Sequence, residues 1–453
     1  MIDFIMNDLL GTPELLVGLF ALIGLLAQRK AVADVVSGTL KTVLGFVILG
    51  AGAMVITQSL DQFSAMFNHA FNVNGVIPNN EVIVAIAQDA FGTETAMIML
   101  FGMMANILFA RITPFKYIFL TGHHIMFMAC LIAVILTTAG MAGVPMVVLG
   151  AIILGSLMVL LPAMLQPFTR EITGSDDIAV GHFGSFGYYA SATIGKWFGN
   201  KEKSTEEIKV PKSLGFLRDT TVAVSLTMII LFLVVSLFTG SEFIESQLSG
   251  GQNFLVFSLM QALAFAAGVY IILTGVRMLL GEIVPAFKGI ADKIVPNAKP
   301  ALDAPAVFPF ANNAVIIGFL FSFAAGLISM MFLPLFGLAV IVPGLVPHFF
   351  TGAAAGVFGN ATGGRRGAII GAMVNGVFIS FLPALLLPVL GDLGFQSTTF
   401  GDSDFGVVGI ALGILSQQLN STIAFTVIVL AVIAAFFLIG IKTRKKPTKT
   451  DHS

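Results

Sequence analysis

Five short stretches of this sequence hold side chains that could do chemistry. His123 and His124 lie in Leu120-Thr121-Gly122-His123-His124-Ile125-Met126-Phe127, inside an apolar segment. An imidazole there either bonds a neighbouring carbonyl or, if Gly122 breaks the helix, turns toward a ligand. His182 sits in Val180-Gly181-His182-Phe183-Gly184-Ser185-Phe186-Gly187, where small residues let backbone approach a ligand closely. A purely structural histidine is the alternative. Asp303, in Ala301-Leu302-Asp303-Ala304-Pro305, stands alone ahead of Phe308-Pro309-Phe310-Ala311-Asn312-Asn313. Its carboxylate could hold a sugar hydroxyl or accept its proton during phosphoryl transfer. It could equally cap a helix, since an Asp shortly before Pro is a common helix start. Thr93-Glu94-Thr95 follows Gly92 at the expected opening of a span, to cap it or to face a polyol. Gly363-Gly364-Arg365-Arg366 reads most simply as a charged anchor for the next helix.

Other chemistries find no support. There is no GxxxxGK[ST] phosphate loop and no HExxH metal spacing, so nothing points to a nucleotide-driven pump, a metal site or any other cofactor. Cys130 is the only cysteine, which excludes an internal disulfide, and its apolar surroundings suggest an inert packed thiol. A net charge of −1 gives nucleic acid nothing to bind.

The elements that must position these residues are membrane helices. The chain is 57% hydrophobic and 10% charged, with a mean hydropathy of +0.97. Soluble domains carry about 25% charged residues. A span needs about 20 mostly apolar residues. Candidates fall near Leu15–Ala27, Val43–Ile56, Ala96–Phe109, Ile118–Leu136 and Val147–Met164. After a polar stretch come Val222–Phe238, Phe254–Leu280, Ala314–Met331, Leu333–Val346, Ala368–Leu390 and Thr422–Ile441. Ile178–Ile194 and Val407–Ser416 are apolar but too small and Gly-rich to span, and suit re-entrant hairpins. At lipid depth a polar residue is costly, about 2.5–3.5 kcal/mol for an Asp at a helix centre, so the stretches above are functional candidates by default.

Basic residues set the expected orientation. Gln28-Arg29-Lys30 and Lys41 place the first loop in the cytoplasm and the N-terminus outside. The loop Lys196–Arg218, with Lys201, Lys203, Lys209 and Lys212, and the tail Lys442-Thr443-Arg444-Lys445-Lys446 should also be cytoplasmic. Eleven spans, an odd number, satisfy this. Met1–Leu10 carries Asp3 and Asp8 without a basic start, so no cleaved signal peptide is expected.

The halves repeat weakly. Pro78-Asn79 and Pro296-Asn297 each precede an apolar helix by the same interval, to Ala96 and Ala314. Gly122-His123 matches Pro347-His348, and Gly174-Ser175-Asp176-Asp177 resembles Gly401-Asp402-Ser403-Asp404. A repeat of five spans puts its second copy upside down, an arrangement found in transporters.

Taken together, Ile118-Phe119-Leu120-Thr121-Gly122-His123, Ile178-Ala179-Val180-Gly181-His182 and Gly275-Val276-Arg277-Met278 form a recognisable set. Ala301-Leu302-Asp303, Phe310-Ala311-Asn312-Asn313-Ala314-Val315 and Val357-Phe358-Gly359-Asn360 extend it. The sequence resembles the membrane-embedded IIC permease of the ascorbate branch of the bacterial phosphotransferase system, from about Val17 to Lys442. The resemblance implies an all-α integral membrane homodimer with two re-entrant hairpins. Scaffold helices would hold an elevator-type core in the bilayer of the bacterial plasma membrane. It implies a soluble IIB partner whose phosphocysteine phosphorylates the bound substrate, L-ascorbate or a similar solute. It assigns ligand contacts to His123, His182 and Asp303, and, less directly, to Thr93, Glu94, Thr95 and Gly52. Enterobacterial relatives carry glutamine at the positions of Phe127 and Phe183, so the hydrogen bonds made there are lost or remade here. The expected organisation is a first repeat over 1–215, a second over 216–441 and a basic cytoplasmic tail over 442–453. The competing functional class is a secondary transporter driven by H⁺ or Na⁺, with Asp303 and the histidines as a proton relay.

Overall fold

With no water at lipid depth to bond the backbone, so apolar a chain must pair its own N–H and C=O groups, and helices do this within one segment. The computed structural model describes residues 12–72, 75–208, 220–395, 398–419 and 422–444. Lys209, Lys212 and Arg218 of the basic loop, the tail from Lys445, and Met1–Leu10 lie outside the described residues.

The first half runs α1 (Pro13–Ala27), α2 (Val32–Phe71), β1 (Ile77–Pro78), α3 (Asn80–Ile112), β2 (Tyr117–Phe119) and α4 (Gly122–Thr138). It continues with α5 (Gly143–Thr173), β3 (Ala179–Val180) and α6 (Ser185–Phe198). The second half runs α7 (Thr220–Thr239), α8 (Ser241–Phe243), α9 (Phe254–Lys293), β4 (Lys299–Leu302), α10 (Asn312–Phe332) and α11 (Leu345–Leu386). It closes with β5 (Thr398–Thr399), α12 (Ser403–Gln418) and α13 (Thr422–Arg444). Among the described residues, 7 helical stretches are long and apolar enough to cross a membrane, or 8 if α7 and its continuation through Leu248, bent by 101° at Gly240, count as one span. The protein is an all-α, multi-pass membrane protein.

Two expectations about elements need correction. Leu333–Val346 is not a span: one 3₁₀ turn, Leu333–Phe336, ends at Gly337 in the left-handed region, and the chain stays non-helical until α11 begins at Leu345. Pro334, Gly337, Pro343 and Gly344 explain this, because proline removes a donor and glycine favours the turn. Thr93-Glu94-Thr95 does not open a helix either; it lies well inside α3, which starts at Asn80.

Gly363-Gly364-Arg365-Arg366 is the tip of a helical hairpin. Gly364, with φ of 57°, breaks α11. Beyond it the second arm returns along the first, so that Asn375 Nδ2 donates to Thr351 Oγ1 at 3.0 Å. Arg365 Nε donates to the Ser204 carbonyl at 3.0 Å, and its backbone N–H to that of Lys203 at 2.8 Å. The tip is thereby clamped to the loop after α6.

Short parallel strands join the halves. β4 lies between β2 and β3, pairing Phe119 with Ala301 and Val180 with Leu302. β1 pairs with β5, Pro78 opposite Thr399, while Val76 bridges Ile341. Each pairing satisfies backbone at a helix break that would otherwise be buried unbonded. Lys299 at the edge of β4 is paired with Asp176, and Arg170 Nε reaches the same carboxylate at 3.1 Å. Partial burial works to raise the Asp176 pKa, but Lys299, Gln166 and Arg170 outweigh it and hold the carboxyl below its usual range.

Candidate functional site

The three-stranded sheet delivers the polar residues. β2 leads through Thr121 into α4, so His123 and His124 occupy its first turn. β3 ends just before His182, and β4 just before Asp303. Because β4 is hydrogen-bonded to both neighbours, all three chain ends open at one place. His123 Nε2 lies 3.6 Å from Asp303 Oδ2, and His182 Nε2 lies 3.8 Å from Asp303 Oδ1. Both separations exceed a direct hydrogen bond, so each group keeps bonding capacity toward a ligand. Asp303 is also a cap: its Oδ1 accepts from Ala304 N–H at 2.7 Å, starting the 3₁₀ helix Ala304–Phe310. The capping reading of this carboxylate therefore holds.

The protonation of His182 is set by its neighbours. Its Nδ1 accepts the Gly184 backbone N–H at 2.9 Å and faces the Tyr188 hydroxyl at 3.0 Å. A backbone N–H can only donate, so Nδ1 holds the lone pair and the proton of the neutral ring is on Nε2. His182 thus presents an N–H donor beside Asp303. Behind it, buried Asp404 accepts from the N–H groups of Ser185 at 2.9 Å and Phe186 at 2.8 Å. Asp404 in turn donates its own backbone N–H to the Phe183 carbonyl at 2.9 Å. These bonds hold the 182–186 turn in shape.

The two-stranded sheet delivers a second polar face. Asn80 follows β1 and Asp402 follows β5. Asn80 Nδ2 donates to Asp402 Oδ2 at 2.9 Å, and Asn80 Oδ1 accepts the Gly401 N–H at 2.9 Å. His124 Nδ1 stands 3.9 Å from Asp402 Oδ2.

Both faces border one cavity of about 250 Å³, to which Glu14 and Asn79 add polar atoms and Phe46, Phe127 and Phe350 add apolar wall. Among the described residues, no Lys or Arg lines it. Of the residues expected to touch substrate, His123, His182, Asp303 and Phe127 line this cavity. Phe183 is fully buried behind them, stacked on Phe119 with ring centres 5.1 Å apart. Gly52 lies in the α2–α9 crossing, where an added Cβ would come within 2.7 Å of Ile272 N and 2.8 Å of Gly268 O. Thr93, Glu94 and Thr95 are not among the lining residues. Sequence reasoning missed Glu14, Asn80 and Asp402. For Asp402 the signal was in hand, as Gly401-Asp402-Ser403-Asp404 is an acidic turn between apolar stretches.

Ligand atoms of His123, His124 and Asp303, and of His124, His182 and Asp402, lie within 4.8 Å of one another in each group. A metal-bound histidine donates its second N–H to an acceptor. His182 does the reverse, accepting at Nδ1 from Gly184, so metal ligation through its Nε2 does not fit.

Long apolar helices around a cavity lined by carboxylates and imidazoles define a polytopic membrane protein with a candidate site for a small polar solute. Residues 8–404 match the family of the PTS system sugar-specific permease component, EIIC-GAT, and the chain belongs to that family. It is similar to the "Ascorbate-specific PTS system EIIC component" of Mycoplasma pneumoniae, 27% identical over 417 residues. That alignment covers 81% of this chain and 63% of the relative.

Proposed function

We propose that this chain is the membrane component of a group-translocating permease. It carries a hydroxyl-rich small solute, L-ascorbate or a related sugar-like compound, inward, and presents it to a separate IIB protein that phosphorylates it. The observation that carries this reading is the Asp303 carboxylate between His123 and His182 in the cavity of a PTS sugar permease. Carboxylates accept from hydroxyls, and the His182 Nε2–H donates to a ligand oxygen. Among the described residues, three lining carboxylates (Glu14, Asp303 and Asp402) without Lys or Arg favour an uncharged or singly charged solute over a multiply charged anion. In the transfer step the substrate hydroxyl attacks the phosphorus of the IIB phosphocysteine. The O–P bond forms, the S–P bond breaks, the thiolate leaves, and the hydroxyl proton passes to Asp303.

The architecture we propose is an inverted repeat, 1–215 and 216–441, followed by a tail over 442–453. Its support is the reciprocal strand exchange: β4 of the second half sits between β2 and β3 of the first, and β1 of the first half joins β5 and Ile341 of the second. The likeness of Gly174–Asp177 to Gly401–Asp404 does not support it, because the former precedes β3 whereas the latter follows β5. Within this scheme the first two long helices of each repeat, α1 with α2 and α7 with α9, serve as the scaffold of a homodimer, and the remaining helices move as an elevator core.

The test uses inside-out vesicles supplied with phosphoenolpyruvate, the general phosphocarriers, IIA and IIB. Phosphorylated product is expected, formed only when all components are present. Uptake of unmodified solute that depends on a pH or Na⁺ gradient would overturn the proposal in favour of a secondary transporter.

A further inference from the structure

The geometry points to a second hydroxyl-binding subsite, formed by His124 and Asp402 and held by Asn80, adjoining the one at Asp303. The inference rests on reading this cavity as the substrate site, and it names groups that neither the resemblance nor the expected ligand set includes.

His124 is buried, at 4% exposure, and its ring stacks on Phe405 with centres 6.0 Å apart and planes within 6°. The stacking and the α4 backbone leave it little freedom to turn. Its Nδ1 is buried and makes no hydrogen bond among the described residues. A buried polar atom without a partner is costly, and structures supply one wherever they can. The polar group facing Nδ1 is Asp402 Oδ2 at 3.9 Å, too long for a direct bond. Asp402 cannot close that gap at no cost, because Asn80 Nδ2 holds the same oxygen at 2.9 Å and Asn80 is itself fixed by the Gly401 N–H. Both His124 and Asp402 border the cavity.

One oxygen placed about 2.8 Å from both atoms would satisfy them together. It would accept from His124 Nδ1–H and donate to Asp402 Oδ2. Only a group that accepts and donates through the same oxygen does this, which selects a hydroxyl over a carboxylate, a phosphate or an ether. The first face, His182 Nε2–H beside Asp303, has the same donor-plus-carboxylate composition. The carboxylates of the two faces come from different sheets, Asp303 after β4 and Asp402 after β5. The chemical class that answers both is a solute carrying at least two hydroxyls on separate carbons, held between two imidazole–carboxylate pairs.

The experiment measures equilibrium binding to the full-length protein in lipid nanodiscs. The probes are L-ascorbate, galactitol and a set of ascorbate analogues each with one hydroxyl removed or O-methylated. Two variants are compared with wild type. Asp402→Asn keeps an acceptor for Asn80, and His124→Phe keeps the stack on Phe405; thermal midpoints report whether each is folded. Each variant is expected to weaken the unmodified ligand about tenfold, the size of one lost hydrogen bond to a buried group. Against the single analogue that lacks the bridging hydroxyl, the same variants should show no further loss. Equal losses on every analogue, or no loss on any, would overturn the subsite. If His182→Ala and Asp303→Asn weaken binding while Asp402→Asn and His124→Phe do not, the subsite fails and the cavity reading stands. If wild-type protein binds none of the hydroxylated probes, both fail together.

Discussion

We propose that Asp303 carries two loads that substitution can separate. As a cap it needs only an oxygen acceptor for Ala304 N–H, and Asn caps about as well as Asp. As a proton acceptor it needs the carboxylate. Asp303→Asn should therefore leave the folded protein's thermal midpoint nearly unchanged and binding mildly reduced, while phosphorylation of bound substrate falls by orders of magnitude. A variant that bound normally and turned over at the wild-type rate would remove the proton-accepting role. His182→Ala should act oppositely, weakening binding by about 1–3 kcal/mol through loss of a buried donor. Calorimetric titration of both variants with L-ascorbate distinguishes the two roles. The residue types were legible in the sequence, because an isolated His or Asp among apolar neighbours stands out. What each ring nitrogen does was not legible, since Gly184 N–H and Tyr188 fix it by geometry.

At the scale of elements, helix breaks decide the site. β1, β3, β4 and β5 interrupt the helical pattern, and their ends carry Asn80, His182, Asp303 and Asp402 respectively. Gly364 is the break with the least tolerance: a Cβ there would come within 2.2 Å of Asn200 O and 2.4 Å of Lys203 O, and its φ of 57° disfavours any L side chain. Gly364→Ala should destabilise by about 1–3 kcal/mol, and more if the 200–204 loop cannot shift. The expected result is a lowered thermal midpoint together with faster proteolysis near Lys201–Lys203. An unchanged midpoint would show that the hairpin tip is not clamped as described. The helix of residues 345–363 escaped the hydropathy window because Thr351, Asn360 and repeated Gly and Ala dilute it. The same window was drawn instead to Leu333–Val346, whose prolines and glycines forbid a helix.

For the whole molecule, the proposed mechanism needs the phosphodonor and the basic tail on one side. We propose that the N-terminus lies outside and the C-terminus in the cytoplasm, on the strength of Arg29, Lys30 and Lys41 in the first loop and Lys442–Lys446 at the end. A reporter fused after Ser453 should show cytoplasmic activity, and a tag before Met1 should be accessible to an impermeant reagent in intact cells. Both termini on one face would contradict an odd number of crossings and force the spans to be reassigned.

Hydropathy is a sum over neighbouring residues, so the sequence by itself determined the membrane class, most of the long helices and the few polar side chains too costly to be idle at lipid depth. It also carried the family, through motifs spread over nearly the whole chain. Which polar residues meet is a different kind of fact. Asn80 finds Asp402, and His182 finds Asp303, only because short strands pair in parallel across the halves. Nothing local in either segment encodes its partner. The same holds for Gly52, whose value lies in the backbone of α9 pressed against it, and for Phe183, buried against Phe119 and not among the residues that line the cavity. Tertiary structure decided these because backbone pairing and packing join segments that no local window can see together.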